Sequence, residues 1–363
     1  MSDAANELVG QWIRPGIRAL AAYHVPDATG LVKLDAMENP YHWPRELVDA
    51  WLEVLRGVAL NRYPDPRSPQ LIDTLRRVAG IPAEQSVILG NGSDELIQVI
   101  IMALAEPGRV VMSVEPSFVM YRMITGYADM NYVGVPLGED FALDTPAFLA
   151  AMKAHRPAVV FLAYPNNPTG NRFSRPDVEA VIRAAPGLVV LDEAYAPFAD
   201  DSFLSDLGRY PNLVVMRTVS KQGLAGLRLG YLCGPAAWLS EFDKVRLPYN
   251  INVLTQASAD FALAHHHVLD EQAAAIRRDR ETLARALAGL PGVTPYPSEA
   301  NFILFRVPAG RGDAVFQGLK EAGVLIKNLS GQGGALTDCL RVTVGRPEEN
   351  ERFLAALGRV VGQ

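Results

Sequence analysis

Lys221 follows Ser220 in a glycine-flanked turn, and Arg228 comes seven residues later in Gly226-Leu227-Arg228-Leu229-Gly230. A lysine held in a confined site loses its proton readily and can form a Schiff base. An arginine so close can clamp a phosphate in its bidentate fork. Taken singly, each is more often a surface charge. Gly90-Asn91-Gly92-Ser93-Asp94-Glu95 reads as a strand-to-helix turn whose N–H groups favour an anion. It reads equally as an ordinary cap supplied by Ser93 or Asp94. Tyr164-Pro165-Asn166-Asn167-Pro168-Thr169-Gly170 is a defined turn at the carboxyl end of a strand, where open α/β sheets bind ligands. Asn167 could offer its amide to a ligand oxygen there, although a plain turn needs no function. Asp192 ends an apolar run in Leu191-Asp192-Glu193-Ala194-Tyr195. A carboxylate there needs a partner, such as a protonated ring nitrogen, unless it caps a helix. Arg341, in the strand-like run 340–345, needs an anion, either a substrate carboxylate or an internal salt bridge.

The elements that must position these groups alternate in type. Apolar runs at 87–89, 110–114, 158–163, 188–191 and 213–217 read as strands buried on both faces. Helical patterns at 94–105, 118–127, 144–154 and 175–184 lie between them. This α/β alternation predicts a mostly parallel, doubly wound sheet. The tail differs: one long helical pattern at 254–290, strands at 301–306 and 339–344, and helices near 313–322 and 347–357. The expected organisation is an N-terminal arm (1–43) packing with the small domain, a large domain (44–255) and a small α+β domain (256–363). Pro15, Pro26 and Pro40 predict that the arm drapes across the structure.

Composition narrows the function classes. There are 34 Lys+Arg against 40 Asp+Glu, a net charge of −6, so no charge argument favours nucleic acid or an anionic membrane. Two cysteines, Cys233 and Cys339, cannot build a disulfide framework or a cysteine zinc cluster and read as core residues. With no signal-peptide pattern at the start and no long apolar run, the expected location is the cytoplasm. Consecutive side chains on a helix diverge by about 100°, so His265-His266-His267 is a poor metal site.

Together, a phosphate loop, an amide for a ring oxygen, an anion for a ring nitrogen and a Schiff-base lysine describe a pyridoxal 5′-phosphate site. The motifs GNGSDE, YPNNPTG, LDEAY, SKQGLAGLRLG and CLRVTVGRPEEN occur in this order, after DAMENP and LNRYPD. In this the chain resembles the histidinol-phosphate aminotransferase family from about Arg14 to Phe353. The resemblance implies an aspartate-aminotransferase-like fold type I, with a mostly parallel seven-stranded sheet and a smaller α+β domain. It implies Lys221 as the Schiff-base and proton-shuttling lysine, Asp192 as partner of the ring nitrogen, and Asn167 and Tyr195 on the ring oxygen. Gly92, Ser93, Asp94, Ser220 and Arg228 would hold the phosphate. Tyr63 would reach the cofactor of a neighbouring subunit, which implies a homodimer. Arg341 would bind the carboxylate of the amino donor glutamate, and Tyr23 would contact the substrate from the arm.

Two positions depart from the family pattern. Phe118 stands where a stacking tyrosine is frequent, keeping the ring and losing the hydroxyl. Lys327 stands where an arginine is frequent, keeping the charge and losing the fork. The implied reaction is transamination of L-histidinol phosphate with 2-oxoglutarate in histidine biosynthesis. An aromatic amino-acid aminotransferase and a threonine-phosphate decarboxylase are the alternatives on the same fold.

Overall fold

The computed structural model describes residues 2–22, 25–138 and 140–362. Its strands in chain order are β1 (Val32–Lys33), β2 (Ser86–Gly90), β3 (Val110–Glu115), β4 (Asn131–Pro136), β5 (Val159–Ala163), β6 (Leu188–Asp192), β7 (Leu213–Thr218), β8 (Gly230–Gly234), β9 (Thr294–Pro295), β10 (Phe302–Arg306), β11 (Val324–Leu325), β12 (Lys327–Asn328) and β13 (Cys339–Thr343). Seven of them form one sheet in the order β2-β8-β7-β6-β5-β3-β4. The pairs β3–β4, β3–β5, β5–β6 and β6–β7 are parallel, and only β8 runs against its neighbours.

Alternation explains the continuous apolar runs. Val160, Leu162, Val189, Leu191 and Val215 enter one core cluster, while Val159, Phe161, Leu188, Val190 and Val214 enter a second on the opposite face. Both faces are covered by helices, so every position is apolar and no period of two is visible. Each fully buried Val or Leu contributes about 1.5–3 kcal/mol of hydrophobic stabilisation. Cys233 and Cys339 are buried in the first cluster.

The chain reverses direction across the sheet between β3 and β5, which are neighbours although β4 lies between them in sequence. At this switch point the turns after β3 and β5 lock together. Asn166 Nδ2 donates to Pro116 O (3.0 Å) and to Thr169 Oγ1 (2.8 Å), and Ser117 Oγ donates to Asn166 Oδ1 (3.0 Å). A crevice at such a point is the expected ligand position in a doubly wound fold.

A second sheet, β12-β13-β10-β9, encloses its own apolar cluster with helices Gly312–Glu321 and Pro347–Val361. The segment from β1 to Asn39 joins the two sheets. β1 pairs in parallel with β11, Asn301 Nδ2 donates to Met37 O (2.9 Å), and Asn39 Nδ2 donates to Gln222 O (3.0 Å).

Several elements differ from the sequence reading. The long tail pattern is two helices, Val253–Ala264 and His266–Ala288, because the chain leaves helical geometry at His265. β4 and β8 escaped the reading. β4 is an edge strand with mixed burial, and β8 is Gly-bounded, so neither gives a clean apolar run. The arm also contains a helix that the reading did not name: Ser2–Trp12, ahead of Pro15, which exposes Leu8, Val9 and Trp12.

Candidate active site

The crevice lies at the carboxyl ends of β2, β3, β5, β6 and β7. Ser93, Asp94, Phe118, Asn167, Asp192, Tyr195, Ser220, Lys221 and Arg228 all line it. Sequence reasoning named these nine from five separate stretches of chain. Met37 and Thr218 line it as well and were missed, since neither carries a chemical signal in sequence.

One end is built for an anion. Helix Ser93–Leu104 starts with Gly92 at its N-cap and has no side-chain cap. The ordinary-cap reading of Ser93 and Asp94 is therefore overturned, and the first-turn N–H groups remain available to a ligand. Gly92 adopts φ +84°, and a Cβ on it would lie 2.6 Å from Arg228 Nη2. Only glycine lets the guanidinium settle over this turn. Gly230, first residue of β8, meets the same constraint, because its Cβ would lie 2.7 Å from Ser93 N. Thr218 Oγ1 and Ser220 Oγ complete this end, 2.8 Å apart. Arg228 Nη2 also bonds Asp94 Oδ2 at 3.2 Å.

The floor carries a buried carboxylate. Asp192 closes β6 and is 3% exposed. Burial pushes its pKa up to about 6, against the opposing pull of hydrogen bonds from Tyr121 Oη (2.7 Å) and Ala194 N (3.1 Å). Tyr121 was also missed: it sits on a helix with nothing in sequence to mark it.

Lys221 enters from the turn after β7, and its Nζ donates to Ala36 O at 3.3 Å. Burial, helped by the nearby Arg341 charge, lowers its pKa to about 8. Roughly one amine in ten is then neutral at pH 7, against about one in three thousand for a free lysine. Nζ lies 5.8 Å from the centre of the Tyr195 ring, which is packed edge-on against Phe302. Burial also raises the Tyr195 pKa.

Arg341, on β13, is not among the residues lining the crevice but bonds Asn167, which is. Its Nη1 donates to Asn167 Oδ1 and its Nη2 to Asp35 O (3.1 Å). The anion that the sequence demanded is thus not an internal carboxylate in these two bonds. Lys327 is directly opposite Arg341 in the β12–β13 register, so the two side chains share a face of the small sheet. Tyr63 does not line the crevice. It is 81% exposed and stacks on Tyr249 at 4.6 Å. Tyr23 lies outside the described residues.

A lysine with a depressed pKa, a buried acid and an uncapped helix start in one crevice can bind a phosphorylated, electron-withdrawing aldehyde. The family model for aminotransferase class I and II matches residues 29–357. The chain belongs to the class I and II aminotransferases. Histidinol-phosphate aminotransferase 2 of Nitrosococcus oceani is 59% identical over 97% of this chain and 98% of its own length. Histidinol-phosphate aminotransferase 1 of Ralstonia nicotianae is 54% identical over 98% of this chain and 96% of its own. Among solved structures, the histidinol-phosphate aminotransferase of Sinorhizobium meliloti in complex with pyridoxal-5′-phosphate superposes with a TM-score of 0.85. It is 27% identical and covers 97% of this chain and 98% of its own. As in other aminotransferases of the class, the fold is type I. No helix among the described residues is long and apolar enough to cross a membrane.

Proposed function

We propose that this aminotransferase uses pyridoxal 5′-phosphate to convert L-histidinol phosphate and 2-oxoglutarate into 3-(imidazol-4-yl)-2-oxopropyl phosphate and L-glutamate, a step of histidine biosynthesis. The observation that carries the reading is the pairing of Lys221 with Asp192 in one crevice whose far end is an uncapped helix start. The substrate assignment draws on relatives of that name at 54–59% identity over nearly the whole chain.

The residues fit the cofactor. The cradle that a Cβ at Gly92 would fill suits a phosphate, with Ser93, Asp94, Ser220 and Arg228 as its holders. When bound, the cofactor supplies an electron sink for negative charge developing at the substrate's amine-bearing carbon. Lys221 holds it through Nζ and moves the proton at that carbon. Asp192 keeps a proton on the ring nitrogen, and that cation in turn removes the cost of a buried carboxylate. Asn167 and Tyr195 would hold the ring oxygen, and Phe118 would support the ring.

Arg341 receives the carboxylate of glutamate, and Lys327, on the same face, supplies charge for the substrate phosphate. Histidinol phosphate has no carboxylate and glutamate no phosphate, so a cationic end of the crevice serves both in turn. Tyr63 reaches the cofactor phosphate of a neighbouring subunit in a homodimer, a role that its exposure on this chain supports. The enzyme acts in the cytoplasm, where its two buried thiols stay reduced.

Product analysis tests the reading. Glutamate formed in step with histidinol phosphate consumed supports it. Release of CO₂ marks a decarboxylase and overturns it.

A further inference from the structure

Tyr121 lies in helix Val119–Tyr127, and no part of it reaches solvent. Its ring stacks on Phe161 of β5 at 4.8 Å with 14° between planes. The edge of Phe118 meets it at 5.5 Å and 87°. Its hydroxyl donates to Asp192 Oδ2 at 2.7 Å. One buried side chain therefore touches two residues of the crevice: the ring on its wall and the carboxylate on its floor.

The placement is rigid. A stacked aromatic between a helix and a central strand cannot swing without opening the core. Asp192 Oδ1 is held by Ala194 N, so Tyr121 fixes the second oxygen and with it the rotation of the carboxylate plane. Each carboxylate oxygen keeps a lone pair for a ligand.

We propose that Tyr121 is a positioning residue for the cofactor: its hydroxyl aims the Asp192 carboxylate and favours its ionised form, and its ring sets the stance of Phe118. This rests on the reading of Asp192 as partner of the cofactor's ring nitrogen. A hydrogen bond donated to a carboxylate stabilises the charged form, opposing burial. The other charged or titratable groups facing Asp192 are Asp94 from helix Ser93–Leu104, its neighbour Glu193, Tyr195 on the following turn, and Lys221 and Arg228 across the crevice. Asp94 and Glu193 disfavour its charge, so the Tyr121 donor works against two acids as well as against burial.

The test is the dissociation constant of pyridoxal phosphate for the full chain, measured against pH by absorbance titration, without substrate. In the parent protein, affinity falls on the acid side as Asp192 takes up a proton. In Tyr121→Phe that acid limb moves up by about one pH unit, so affinity falls roughly tenfold at about pH 5, below both limbs, and only about twofold at neutral pH. Ionisation of the cofactor phosphate is common to both proteins and cancels in the difference. Asp192→Asn removes the share of the limb beyond what the cofactor phosphate and Lys221 contribute, and adding Tyr121→Phe to it produces no further shift. If Tyr121→Phe weakens binding equally at every pH, or leaves the profile on that of the parent while Asp192→Asn removes its share of the limb, the role of Tyr121 is overturned. If Asp192→Asn itself leaves the limb unchanged, the reading of Asp192 fails first and takes the proposal with it.

Discussion

Arg341 Nη1 donates to Asn167 Oδ1, so a strand of the small sheet is bonded directly to the turn that closes β5 of the large one. The pair spans 174 residues of sequence. It buries a guanidinium behind Asn167, a residue of the crevice wall, with its plane fixed from two sides, by Asn167 and by Asp35 O.

That geometry makes charge alone insufficient at position 341. Arg341→Lys keeps the cation and loses the fork. The expected result is a KM for glutamate raised about 10–100-fold, from one lost charge-assisted hydrogen bond, with a smaller change in kcat. Steady-state kinetics with glutamate as the varied donor measures this.

Asp192 should leave a signature in the stability of the cofactor-free protein. Its pKa is about 6 when folded against 3.8 for a free side chain, so the folded chain holds the extra proton between those values. Stability is therefore complete below about pH 4 and falls as pH rises towards 6, by up to ~3 kcal/mol. Denaturant unfolding at stepped pH should show this fall in the parent and lack it in Asp192→Asn. Bound cofactor should remove it too, by giving the carboxylate a cationic partner.

Lys221 has the opposite sign. Its folded pKa, about 8, lies below the free value of 10.5, so the unfolded chain binds more protons between the two. Stability of the cofactor-free protein should rise with pH across that window, and Lys221→Met should abolish the rise. Lys221→Ala should lower turnover at least ~1000-fold while leaving the far-ultraviolet circular dichroism unchanged. Near-normal activity in that variant would refute the lysine chemistry.

Gly92→Ala tests the phosphate cradle. The new Cβ would strike Arg228 Nη2, in a backbone conformation that L side chains rarely adopt. The expected outcome is a cofactor dissociation constant raised at least ~10-fold and a stability loss of about 1–2 kcal/mol. Titration with pyridoxal phosphate and thermal melts of the variant give both numbers.

Much of this site was legible in the sequence because its residues cluster at strand ends. Asp192 closes a strand after four buried apolar residues, and Asn167 lies four residues beyond the five-residue buried strand β5, so both polar residues stand out. Gly92 was legible for its conformation, although the cap reading of Ser93 and Asp94 failed, since the N-cap position is Gly92 itself, which has no side chain to cap with. Tyr121 was not legible. Its role depends on β5 and β6 being neighbours and on a helix packed across them, and no local pattern encodes that contact. Met37 was invisible for a similar reason, because it reaches the crevice only through bonds of its backbone to Thr343 and Asn301, more than 260 residues away. β4 was lost because an edge strand alternates weakly, and the break at His265 because both flanking helices are Ala-rich and share one pattern.

The most direct measurement is a half-reaction. Protein loaded with pyridoxal phosphate is mixed with L-histidinol phosphate, with no oxo acid present, and the bound-cofactor absorbance is followed. The expected result is loss of the cofactor's resting band, with one equivalent of 3-(imidazol-4-yl)-2-oxopropyl phosphate per site, and no such change in Lys221→Ala. A resting band that ignores histidinol phosphate but responds to phenylalanine or phosphothreonine would contradict the proposed substrate, and absence of any cofactor band in the loaded protein would contradict the site itself.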